Sequence, residues 1–231
     1  MKLVLLLMLT ILSLESHSSA LVRKDPEALI LTFESHIFLY GEADDELAQK
    51  IAEEINDVWN NQNIETPLDG SLYDLKFKVT ASAVPFSKVF ELAQSTPGAA
   101  FNFVRVIPGP NSHLTSSFMV GHTNSGVWLL SQGLGNSKTS AHEYGHSLGL
   151  DHPAGESFSG YPRIMLTDYY EVETPFQLPS GKLDLTTRKV TEIDVAELRL
   201  ERLIFDDNQT APIGRYDMIF IFDEEGNILN Y

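Results

Sequence analysis

The sequence predicts an α+β fold, and three observations lead there. Apolar and polar residues alternate over several short stretches, as half-buried strands require. Leu47, Ile51, Ile55 and Trp59 recur at four-residue spacing and lay one apolar stripe along a helix. His142 and His146, also four apart, share one face of a second helix farther along. At 231 residues the chain can bury one substantial core, or one domain with a small appendage.

The first twenty residues are expected to stand outside that core. Lys2 precedes an apolar run from Leu3 to Leu14, and Glu-Ser-His-Ser-Ser-Ala follows; this reads as a secretory signal peptide over 1–20 with a cut after Ala20. The run is too short to span a bilayer, and no other long apolar segment occurs, so no membrane insertion is expected. The mature chain is expected to be soluble and secreted, extracellular or periplasmic.

Ala28 to Tyr40 alternates and reads as a strand, and Glu46 to Trp59 is the amphipathic helix. Leu75 to Val84 and Phe101 to Ile107 read as strands, with a short helix over Val89 to Gln94 between them. Pro108 and Pro110 close that block. Leu114 to Val120 and Val127 to Leu130 flank the turn-rich run Gly121 to Gly126, which suggests two neighbouring strands. Beyond the histidine helix, Pro175, Pro179 and Gly181 mark an irregular loop. Thr191 with Asp194 three residues later is a capping-box variant at the start of a C-terminal helix. Arg215 to Tyr231 suggests a β-hairpin turning at Glu224-Glu225-Gly226. The expected organisation is a leader over 1–20, a main domain over 21–204, and an extension over 205–231 packed upon it.

The chemistry concentrates in His-Glu-Tyr-Gly-His-Ser-Leu-Gly-Leu-Asp-His-Pro, from His142 to Pro153. One helical turn separates His142 from His146, so both imidazoles can face one metal ion, and Glu143 projects beside it. His152 cannot join them from the same straight helix. Gly149 can end the helix in the left-handed conformation and let the chain double back to bring His152 in. Three nitrogen donors with a fourth position left to water suit a catalytic Zn²⁺ rather than a closed structural site. Chance would assemble all five fixed positions on the order of one time in ten thousand, so a metal site is favoured over an ordinary surface helix.

This run resembles the HExxHxxGxxH signature of the metzincin zinc endopeptidases, and within them most resembles the matrixins. The resemblance implies a twisted mixed sheet of about five strands, an active-site helix, a Met-turn and a C-terminal helix. It makes Met165, in Pro-Arg-Ile-Met-Leu-Thr-Asp-Tyr, the Met-turn methionine. It implies that Leu114 to Val120 is the antiparallel edge strand that binds substrate, that Leu166 to Leu185 walls the specificity pocket, and that Asp194 braces the Met-turn. Tyr169 stands where matrixins carry a tyrosine, and Thr167 stands where other metzincins have a tyrosine ligand, so no tyrosine ligand is expected. Pro153 and Thr167 depart from the matrixin pattern. A structural Ca²⁺ is compatible with the resemblance, but no residues mark its site. By analogy with matrixin-like domains in secreted bacterial proteins, the resemblance also points to a bacterial source.

Composition narrows the partners. The net charge of −16 survives removal of the leader, and it argues against nucleic acid or an anionic membrane. With no cysteine, an exported chain has no disulfide framework, and no prodomain cysteine to hold it latent. Asp25 as a carboxylate plug on the metal is disfavoured against a role in an exposed turn before Pro26. His113 and His122 read as satisfied or solvent-facing side chains rather than a second metal site, and Asn208-Gln-Thr210 fits a glycosylation acceptor. The expectation is a monomeric zinc endopeptidase acting on protein or peptide substrates, with a zinc-bound water and Glu143 as general base. Two alternatives remain: a catalytically silent peptide-binding protein of the same fold, and a zinc hydrolase of a non-peptide bond.

Overall fold

The computed structural model describes residues 17–95, 100–121, 123–154, 161–167, 175–216 and 218–229. In chain order the elements are β1 (His17–Asp25), β2 (Ile30–Gly41), α1 (Asp45–Asn60), β3 (Glu65–Leu68), β4 (Ser71–Ala83) and α2 (Phe86–Ser95). There follow β5 (Phe101–Ile107), β6 (Phe118–Met119), β7 (Ser125–Leu129), α3 (Thr139–Ser147), α4 (Glu192–Glu197), β8 (Thr210–Tyr216), β9 (Ile221–Phe222) and β10 (Ile228–Leu229). The α+β class expected from the sequence holds.

β2 is the spine of a mixed sheet. β4 runs parallel along one side of it; the other side takes β1, antiparallel, over its first half and β5, parallel, over its second. β7 adds parallel to β5, β6 adds antiparallel to β7 and closes that end, and β3 closes the other. The sheet has eight strands rather than about five, because β1, β3 and β8 join it.

The pairing of β1 with β8 has a physical reason. β8 pairs antiparallel with β1, and Gly214 packs so closely that a Cβ there would collide with the carbonyl of Ser147 and the side chain of Ser19. Only a small residue fits opposite it, the place Ser19 takes, and Ser18 and Ala20 beside it are buried as well. Those small residues suggested a processing site after Ala20. The strand instead starts at His17, upstream of that expected cut, so the folded unit extends beyond the anticipated boundary at residue 21. The rest of the expected leader, 1–16, lies outside the described residues. β8 likewise carries the sheet past residue 204, so only the β9–β10 hairpin, turning through Asp223 to Asn227 as expected, stands apart from it.

The main core lies between α1, the sheet and α3. Ile51, Ile55 and Trp59 of α1 are buried, and Trp59 packs at a tilt against Phe77 of β4 and meets Tyr144 of α3 edge to face. Trp59 Nε1 donates to the Ala141 carbonyl at 3.1 Å, so one side chain both fills the core and fixes the start of α3. Asp25 accepts from the backbone of Glu27 and Ala28 and caps the β1–β2 turn, the exposed-turn role.

Candidate metal centre

α3 begins without a side-chain cap of its own, Lys138 being left-handed at φ 63°. Glu54, reaching across from α1, supplies one: its carboxylate accepts from Ser137 N at 3.0 Å and Ala141 N at 3.1 Å. Burial raises the Glu54 pKa, while these donors and Ser140 oppose the rise. Glu54 was missed from the sequence, although a carboxylate three residues after Ile51 on the apolar stripe of α1 is the signal that marks it.

At its other end α3 closes as Gly149 suggested. Gly149 takes φ 98°, its N–H bonds the His146 carbonyl, and Leu150 N bonds the Gly145 carbonyl at 3.1 Å, the paired bonds of a Schellman motif. The reversal returns the Leu150 carbonyl to within 2.7 Å of His146 Nδ1 and delivers His152. On the opposite flank, the turn Arg163–Leu166 presents the Ile164 carbonyl to His142 Nδ1 at 2.8 Å.

Those two carbonyls can only accept, so Nδ1 of each ring carries the proton and Nε2 keeps its lone pair. The Nε2 atoms of His146 and His142 lie 2.9 and 3.2 Å from Nε2 of His152. Tetrahedral zinc with bonds near 2.0–2.1 Å needs nitrogens about 3.4 Å apart, so the three rings are placed close to what one ion requires. They are close enough to bind a metal ion and are the one such group among the described residues. Burial holds the His142 pKa well below its usual value, with the Arg188 and His146 charges adding to the effect, and burial also lowers His152. Neutral rings at neutral pH are the form that donates to a metal.

Glu143 is 4% exposed, and its Oε2 has no hydrogen-bond partner. Burial raises its pKa to about 8, with Arg188 pulling the other way. Arg188 was not singled out from the sequence, and no local pattern marks it. Its guanidinium donates to the carbonyls of Leu185, Leu166 and Lys138 at 3.0–3.1 Å, so it ties together three segments around the histidines.

Met165 is fully buried under α3, where a Cβ on Gly145 would collide with its Sδ. Asp194 is also fully buried. It accepts from Arg163 Nε at 3.0 Å, two residues from Met165, and from Thr191 N and Oγ1 in the capping box. The bracing and capping readings of Asp194 therefore describe one carboxylate doing both, and Arg163 also pairs with Glu197.

A cleft of about 430 Å³ opens over the histidines, walled by Phe118 and Met119 of β6 on one side and Thr167, Leu185 and Arg188 on the other. β6 is the sheet's antiparallel edge, though it spans two residues rather than the run from Leu114 to Val120. Tyr169, His122 and part of the expected pocket wall, 168–174, lie outside the described residues, as do 230–231 of the hairpin. His113 stands apart from the metal-ligand group. A larger groove, about 1240 Å³, shares no lining residue with the cleft. No protein-family model and no curated protein sequence matches the chain, so its chemistry is argued from the residues themselves.

Proposed function

We propose that this chain is a secreted zinc-dependent endopeptidase of metzincin type, matrixin-like in its Met-turn and C-terminal helix. The observation that carries the reading is the convergence of three imidazole Nε2 atoms beside a buried carboxylate oxygen that no protein group satisfies. A buried polar atom with no partner is costly to a fold and commonly marks a site of chemistry.

His142, His146 and His152 would hold the ion, with Ile164 and Leu150 fixing the first two rings through their carbonyls. Zinc supplies Lewis acidity for a scissile carbonyl and brings the pKa of water towards about 7. Glu143, beside the histidines with an unpartnered carboxylate oxygen, would take the proton of the attacking water and pass it to the leaving amine. β6 has no strand beyond it among the described residues, so its edge could offer backbone groups to an extended peptide and main-chain pairing could position many sequences. Export is supported by the leader-like run from Lys2 to Leu14.

The test is cleavage of a denatured protein or a peptide library. Chelator is expected to abolish cutting and zinc to restore it. Zinc and peptide binding without cleavage across a broad library would favour the silent binding protein, and cleavage confined to non-peptide bonds the third reading.

A further inference from the structure

Away from the histidines, Arg105 presents a buried cation with no counter-ion among the described residues. It is 6% exposed, its Nε has no hydrogen-bond partner, and it joins none of the ion pairs among the described residues. Its guanidinium carbon lies 5.5 Å from the Tyr40 ring centroid and 5.4 Å from that of Phe86, so two aromatic rings hold the planar group in place. Gly41 makes the close approach possible: a Cβ there would sit 2.8 Å from Nε. Burying a charge without a partner is costly, and a site that keeps one is built for a ligand that supplies it.

Arg105 lines the larger groove, which lies where β2, β4 and β5, all parallel, end at their carboxyl termini, the crevice where sheets of this kind commonly take ligands. The far wall is the β9–β10 hairpin, tied to the same platform by Phe222 N donating to Tyr40 Oη at 2.9 Å. The rim is acidic. Asp44 and Asp223 are engaged in capping a helix and a turn, whereas Glu42, Asp45 and Glu224 are exposed and take part in no ion pair among the described residues.

A phosphate would meet Arg105 but face repulsion from the surrounding carboxylates. A single carboxylate carried among positive charges fits both features, and about 1240 Å³ exceeds a typical small-molecule pocket and suits several residues of chain. We propose that this groove binds a basic peptide segment bearing one carboxylate. The carboxylate pairs with the Arg105 fork, and Lys or Arg side chains pair with Glu42, Asp45 and Glu224.

The test uses the full chain carrying Glu143→Ala, so that no cutting confuses binding, and fluorescence anisotropy with labelled Lys-rich decapeptides. One has a free C-terminal carboxylate, one an internal Asp and an amidated end, and one is amidated with no carboxylate. At least one carboxylate peptide is expected to bind about tenfold or more tightly than the amide, since a charge-assisted bond to a desolvated group is worth that much. Arg105→Met removes the preference; Arg105→Lys, which keeps the charge and loses the fork, reduces it several-fold and serves if the first variant does not fold. Combined Glu42→Gln, Asp45→Asn and Glu224→Gln weakens all three peptides alike. Equal affinity for carboxylate and amide, an unchanged preference in a folded Arg105 variant, no saturable binding at millimolar peptide, or displacement by inorganic phosphate at lower concentration than by the carboxylate peptide would each overturn the proposal.

Discussion

The two concave faces of this molecule handle charge in opposite ways. In the histidine cleft three imidazole nitrogens converge, and the titratable groups beside them, Glu143 and Arg188, are buried by the surrounding chain. In the groove the buried group is a cation, Arg105, and the carboxylates stand outside it in solvent. The cleft is also braced from behind by a second layer of polar bonds through Ile164, Leu150, Glu54 and Asp194, whereas Arg105 is held by ring faces and the backbone of Gly41. A polar second layer fixes atoms to a metal's tolerance, while stacking fixes a plane and leaves its edge to recognise a ligand. The difference fits one face doing chemistry and the other holding a chain.

That contrast can be broken from the cleft's side. Asp194→Ala takes the buried partner from Arg163 and leaves it only the half-exposed Glu197; removing one member of a buried pair costs about 3–5 kcal/mol, and the remaining pair keeps the loss toward the lower figure. Chemical denaturation is expected to show that loss. Metal affinity should fall as well, because the turn holding His142 loses its brace, while peptide binding at Arg105 per folded molecule is unchanged. Gly145→Ala forces a methyl group into Met165 beneath α3, and overpacking of this kind costs about 1–3 kcal/mol, readable as a lower melting temperature. Gly149→Ala is the smallest change. Nothing lies within 4 Å of a Cβ there, so only the left-handed φ of 98° is penalised, by about 1 kcal/mol. Equal losses for the two glycine variants would mean that Met165 is not packed as tightly under α3 as the fold implies.

The two faces also differ in how far the sequence reveals them. His142, Glu143, His146, Gly149 and His152 fall within eleven residues, so helix periodicity and one helix-ending glycine suffice to bring them together. The groove draws on residues from Gly41 to Leu229, and only the sheet's pairing makes neighbours of Tyr40 and Arg105. The strands that escaped notice have similar explanations. Pro67 in β3 and Pro212 with Gly214 in β8 weaken the strand signal, and both strands tolerate proline because they lie at sheet edges. β1 was obscured because its small residues satisfy a packing demand from a strand nearly two hundred residues away. Glu54 and Arg188 brace the histidine group from other elements, and the distance in chain between Glu54 and Ala141 is one no local motif can span.

The central claim is that the three histidines hold a metal for which Glu143 does the proton transfer. Its most direct test is Glu143→Ala, purified alongside the unsubstituted chain, with zinc content and peptide cleavage measured on the same preparations. Zinc at one ion per chain in both, with cleavage reduced by about a hundredfold or more in the variant, is the predicted result. Undiminished cleavage by the variant, or absence of zinc from the unsubstituted protein after incubation with the metal, would contradict it.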